Sequence, residues 1–218
     1  MRPLRAVIAT GSGRYADPWH PFAETSDRLR RMLEEAGFAV DIAPVDDALQ
    51  RLVGADLLVV NAGDPWDEDP PAVGAPAASV AGLEAALERG IGVLAMHAAL
   101  SSLRDHAAWA PAVGGVWLPR ASMHPPISDA TFSWSAHPLA GTEPLTAFDE
   151  RYAFLQAVGE REVVATHEHA GVVHPVVWVR EHGAARVAVD LLGHDTRSYD
   201  SPSHRALIAR LATWAVRF

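Results

Sequence analysis

Chemistry in this chain has to rest on imidazole and carboxylate. The 218 residues include 11 histidines and no cysteine, and all 18 basic residues are arginine. Without cysteine there is no thiolate nucleophile, disulfide or iron–sulfur ligand. Without lysine there is no Schiff base and no P-loop lysine. Four clusters of polar residues stand directly after apolar runs: Gly11-Ser12-Gly13 with Asp17-Pro18-Trp19-His20, then Asn61-Ala62-Gly63-Asp64, Met96-His97-Ala98-Ala99 and Gly193-His194-Asp195. If those runs are parallel strands, all four clusters open on the carboxyl edge of one sheet, where α/β folds bind ligands.

His97 stands out among them because it occupies a turn from a buried strand into a helix, the place that carries the nucleophile in α/β hydrolases and amidotransferases. The elbow pattern G-x-S-x-G is absent. An imidazole there suits a general base, an electrostatic anchor or a metal ligand, or a buried ring bonded to a backbone carbonyl. Gly11-Ser12-Gly13 lacks the third glycine and the downstream acidic residue of a dinucleotide site, so it reads as a turn leaving the sheet. His167-Glu168-His169 lacks the i, i+4 helical spacing of zinc proteases. His106, His182 and His204 are expected at the surface, and His137-Pro138 marks a turn. Trp19 and Trp66 fall in loops rich in polar neighbours, a setting in which a sugar ring stacks, while the remaining tryptophans are expected in the core.

The elements that must position these groups follow from periodicity. Leu4–Thr10, Phe38–Ala43, Ala55–Asn61 and Ile91–Met96 are short apolar runs typical of buried parallel strands. Helices are expected over Phe22–Ala36, with Leu29, Met32, Leu33 and Ala36 on one face, and over Val80–Arg89. Another is expected to begin over Ala98–Ala108, and a last one over Pro202–Val216. Thr131–Trp134, Glu162–His167, Pro175–Val179 and Arg186–Leu191 read as further strands, some of them antiparallel. Strand–helix alternation predicts an α/β fold whose mostly parallel sheet is covered on both faces. The proline-rich acidic stretch Gly63 to Ser79 is a candidate lid.

The formal charge of −9 gives a surface that repels phosphate, so no nucleic-acid partner is expected. The apolar stretch after the basic N-terminus is too short for a signal peptide, and no run approaches the roughly 20 apolar residues of a membrane span. No membrane partner and a cytoplasmic location are expected, and a homo-oligomer is compatible with the composition.

From Ile91 onward the chain resembles the ThuA-like (trehalose utilisation) family, within the class I glutamine amidotransferase-like superfamily. The matching segments are Gly92-Val93-Leu94-Ala95-Met96-His97-Ala98-Ala99, Gly114-Gly115, Met123-His124-Pro125 and His137-Pro138-Leu139. They continue with Phe148-Asp149-Glu150-Arg151-Tyr152, Pro175-Val176-Val177-Trp178, Gly183 to Val187, Leu192-Gly193-His194-Asp195 and Thr213-Trp214-Ala215. Two places depart from the family pattern: Met96 stands for a glycine, and Gly183-Ala184-Ala185-Arg186 for Gly-Lys-Gly-Arg. The resemblance implies one ThuA-like domain over residues 1–218, a three-layer α/β/α sandwich of flavodoxin-like outline. With histidine at the elbow, glutaminase chemistry is excluded.

The resemblance further implies a pocket built from His20, His97, His124, Glu150 and His194, with Trp19, Asp149, Tyr152 and Asp195 nearby. Together with Asn61 on the rim, these are the candidate substrate contacts. The implied small-molecule partner is a disaccharide or keto-sugar. His97 or His194 would remove a proton, with Glu150 as complementary acid or orienter. Alternatively His20, His97, His124, Glu150 and His194 hold a divalent ion such as zinc. The competing reading is a non-catalytic sugar-binding or accessory module that lost the superfamily's cysteine.

Overall fold

The apolar run after Pro3 forms β1 (Leu4–Thr10), followed by α1 (Phe22–Glu35), β2 (Phe38–Pro44), α2 (Val45–Leu49) and β3 (Leu57–Asn61). Then come α3 (Ala77–Arg89), β4 (Gly92–Met96), α4 (Trp109–Val113), β5 (Gly115–Val116), β6 (Ser128–Trp134) and β7 (Leu145–Asp149). The chain ends through β8 (Gln156–Ala157), β9 (Glu162–His169), β10 (Val172–His182), β11 (Ala185–Asp190) and α5 (Pro202–Ala215). This computed structural model describes residues 2–64 and 74–216. Residues 65–73 of the candidate lid, with Trp66, lie outside the described residues.

Nine strands form one sheet in the order β2-β1-β3-β4-β11-β10-β9-β6-β7. β2, β1, β3, β4 and β11 are mutually parallel, and the other four extend the sheet in antiparallel fashion. β3 and β4 lie at the centre and every residue in both is buried, as a strand covered on two faces requires. α1 packs against α5 on one face, while α2 and α3 pack together on the other, giving three layers. Among the described residues no helix is long and apolar enough to cross a membrane.

Local chemistry explains most element ends. α1 buries Leu29, Met32 and Leu33, but Ala36 falls past its end and is exposed, because the chain leaves the helix for Gly37 at φ +93°. α5 starts at Ser201, whose hydroxyl accepts from the His204 backbone N–H, with Pro202 in the first turn. The helix expected over Ala98–Ala108 is replaced by one 3-10 turn, His97–Leu100, and a series of turns. Two features stop it. His97 and Leu103 have φ of +42° and +54°, and the Ser101 and Ser102 hydroxyls donate to the carbonyls of Ala98 and Gly63.

The antiparallel extension delivers a functional strand end. From β11 the direction alternates through β10, β9 and β6, so β7 runs in the same sense as β11. Its carboxyl end, at Asp149-Glu150, therefore opens on the same rim as those of β1, β4 and β11.

Candidate functional site

Four strand ends supply the site. β1 leads into the loop bearing His20, β4 into His97, β7 into Glu150 and β11 into His194. The left-handed φ of +42° at His97 gives the sharp elbow anticipated for that turn. His97 Nδ1 lies 2.7 Å from the Leu191 carbonyl, which can only accept, so Nδ1 donates and Nε2 keeps the lone pair. His20 is fixed in the same way. Its Nδ1 donates to both Asp17 carboxylate oxygens at 2.7 and 2.8 Å, leaving Nε2 buried without a hydrogen-bond partner.

Glu150 lies at the focus. One carboxylate oxygen is 3.5 Å from His97 Nε2 and 3.3 Å from His194 Nδ1, and the other is 3.3 Å from His124 Nδ1. None of these three approaches is aligned as a hydrogen bond. The rings of His20, His97 and His194 crowd together, with centroids 4.7–5.4 Å apart. Burial alone would raise the Glu150 carboxyl, but the His194 and His97 imidazoles outweigh it and hold it well below the usual range. For His97, burial works against the cation, yet Glu150 and Asp149 prevail and raise its pKa. Burial prevails at His20, whose pKa falls despite Asp17, which favours the neutral ring. Tyr152 Oη is 3.0 Å from His97 Nε2, and burial with the nearby carboxylates raises its pKa well above the ordinary value.

Above this cluster opens a cavity of about 630 Å³, bounded by Trp19, Trp117, His124, Tyr152, His194 and the carboxylate of Glu150 among others. That is a normal size for a small-molecule site. Trp19 is 60% exposed at the mouth, and Trp117 stacks on Tyr152 with centroids 4.5 Å apart. His124 faces the cavity with its Nδ1 3.0 Å from the Pro125 carbonyl, so Nε2 is its basic nitrogen.

Several expected roles need correction. His97 is only 1% exposed and lies behind the cavity wall, so it is poorly placed to take a proton from substrate. An ionised Glu150 orients and attracts cations; it has no proton to give as an acid. Asn61 is buried and donates to Thr25 and Ser26 hydroxyls at 2.9 Å, tying β3 to the start of α1. Asp149 is fully buried and accepts from the backbone N–H groups of Glu150, Gly193 and His194 and from the Ser198 hydroxyl. It locks the His194 loop to the end of β7. Asp195 turns back to accept from Arg197, away from the cavity. Two supposed surface histidines are buried: His106 bonds Ser79 Oγ at 3.0 Å, and His204 bonds Asp190 at 3.0 Å.

Asp17 and Trp117 join the site without having been assigned a role in it. The i, i+3 spacing of Asp17 and His20 was the available signal for the first, since it lets a carboxylate reach the ring on the same turn. Nothing in the local sequence marks Trp117.

The profile of the ThuA family, described as trehalose utilisation, matches residues 5–215. The chain belongs to the ThuA family. Among solved structures it is similar to a ThuA-like protein from Parabacteroides merdae, with 18% identity and a TM-score of 0.79 over 98% of this chain and 90% of that one. A ThuA-like protein from Bacteroides uniformis gives 16% identity and a TM-score of 0.73, covering 97% and 91% of the two chains. A protein described as part of a GMP synthase, from Thermoplasma acidophilum, gives 13% and 0.56 over 98% and 96%, in keeping with the amidotransferase-like outline. At these identities the likeness shows the shared fold alone. No curated protein matches the chain. The ThuA elbow here carries His97, and Met96 before it is buried, with its methyl group toward Gly193.

Proposed function

We propose that the cavity is the active site of an enzyme that moves a proton on a disaccharide or keto-sugar. The observation that carries this reading is the placing of two cavity-facing imidazoles, His124 and His194, each 3.3 Å from the same ionised Glu150. A carboxylate beside an imidazole stabilises the imidazolium formed when the ring accepts a proton. His124 offers Nε2 for that task, its other nitrogen being held by the Pro125 carbonyl.

The ThuA family's link to trehalose utilisation supports a carbohydrate, and so do the cavity walls. Trp19 and Trp117 present flat apolar faces to a pyranose, while Asp17, Ser101, His20 and His194 supply polar partners for hydroxyls. In a keto-sugar the hydrogen on the carbon next to the carbonyl is the acidic one. Its removal leaves the electron pair on the carbonyl oxygen. Return of the proton to a neighbouring atom then isomerises the sugar, and departure of an oxygen from the adjacent carbon cleaves it.

Incubating the protein with disaccharides and their keto derivatives, with products followed by NMR, tests the proposal. Conversion by the wild type, reduced about 10²- to 10⁴-fold in His124→Ala, is the expected result. Binding of these sugars with no conversion of any would overturn it in favour of a sugar-binding accessory module.

A further inference from the structure

The three imidazoles and the carboxylate behind the cavity are built as a set. We infer that His20, His97, His194 and Glu150 bind one divalent transition-metal ion, with Asp17 and the Leu191 carbonyl as its outer supports. One ligand atom from each of the four lies within 4.8 Å of all the others. Bonds of about 2.0–2.2 Å to zinc place tetrahedral ligand atoms roughly 3.3 Å apart, so the set needs to contract by at most about 1.5 Å. His124, an expected fifth ligand, stands outside this group.

Three features favour an ion over a simple hydrogen-bonded cluster. His20 Nε2 and His194 Nδ1 are buried with no hydrogen-bond partner, and the His20 side chain is only 10% exposed. Among the described residues, no donor makes an aligned hydrogen bond to the Glu150 carboxylate, although three imidazole nitrogens stand 3.3–3.5 Å away. The backs of His20 and His97 are gripped by Asp17 and by the Leu191 carbonyl, each at 2.7 Å. That outer arrangement fixes the tautomer and turns a lone pair inward, as in histidine-ligated metal sites generally. Three nitrogens and one carboxylate suit zinc, cobalt, nickel, iron or manganese better than magnesium or calcium.

His20, His194 and Glu150 also line the cavity, so an ion held by them is open to a ligand from that side. It would polarise a sugar carbonyl or hydroxyl oxygen as a Lewis acid. This deepens the proposed activity and rests on the same cavity. With His194 engaged as a ligand, proton transfer falls to His124.

The test is a titration of the chelator-treated full chain with Co²⁺, whose visible bands report imidazole coordination, followed by displacement with Zn²⁺. One equivalent should bind. His20→Ala and His97→Ala should abolish the bands. Asp17→Asn, which spares all four ligands, should weaken binding about 10- to 100-fold. His174→Ala, which belongs to a separate histidine pair, should bind like the wild type. Should His97→Ala fail to fold, His20→Ala and Asp17→Asn decide the matter, with circular dichroism verifying their folds. Absence of the bands in the wild type, or wild-type affinity in both His20→Ala and Asp17→Asn, overturns the inference. Stoichiometric metal without sugar conversion would refute only the activity, whereas full activity in metal-free protein would refute only the metal.

Discussion

Replacing Asp149 by asparagine should destabilise the protein while leaving every cavity-lining side chain in place. Asp149 is fully buried, and its two oxygens divide four donors. One accepts from the Glu150 and His194 N–H groups at 2.8 and 3.3 Å; the other accepts from Gly193 N–H at 2.7 Å and from Ser198 Oγ. Asparagine keeps one acceptor and sets an NH₂ against the other two donors. Ser198 can turn to His204 Nδ1, 2.9 Å away, but a backbone N–H has no such freedom. One stranded buried N–H costs about 1–3 kcal/mol, and loss of the charge weakens the bonds that remain, for a total of roughly 2–4 kcal/mol. At about 2–4 °C per kcal/mol for a chain of this size, Tm should fall by roughly 4–16 °C. Thermal unfolding by circular dichroism, with and without sugar, is the assay. A Tm within about 2 °C of wild type together with a raised KM would refute the clamp and return Asp149 to the substrate contacts.

Other outcomes follow from the same geometry. Burial works against a charged His204, but Asp190 and then Asp149 outweigh it and raise its pKa. A raised folded-state pKa means its stabilisation is complete below the ordinary histidine value of about 6.5 and is lost as pH rises through the folded value. The Tm advantage of wild type over His204→Gln should therefore shrink from about pH 6 toward pH 9, and a constant gap would show that His204 is neutral throughout. A Cβ on Gly63 would run into the Asp17 carboxylate, so Gly63→Ala should loosen His20 and weaken Co²⁺ binding, as the cobalt titration would reveal. Unchanged affinity would mean that Asp17 tolerates the shift. His124→Ala should retain one equivalent of Co²⁺ and a Tm within about 2 °C of wild type, because its side chain is 36% exposed, while losing sugar conversion. Loss of the metal together with the activity would place His124 among the ligands.

Much of the frame was legible because central parallel strands announce themselves as unbroken apolar runs, as Leu57–Asn61 and Gly92–Met96 do. His97 was marked by position alone, since a buried strand turning directly into a helical segment fixes an elbow. β7 was harder. Its five residues alternate in burial, too short a pattern to stand out, and its direction depends on three intervening antiparallel strands that no local signal reveals. Glu150 and His124 were therefore reached through family resemblance and not through periodicity. Polar residues on the rim were a mixed guide for a related reason. Asn61 and Asp149 sit at strand ends as expected, but their side chains serve the backbone groups and hydroxyls that hold the loops together. Sequence adjacency cannot tell such a clamp from a ligand contact. His106 and His204 misled because carboxylates and hydroxyls distant in sequence make their burial tolerable.

The most direct test of the central claim is deuterium wash-in. A keto-disaccharide held in D₂O with the wild-type protein should gain deuterium on the carbon beside its carbonyl, by NMR, far faster than with His124→Ala or with no protein. Exchange at the uncatalysed rate, in protein that demonstrably binds the same sugar, would contradict the account.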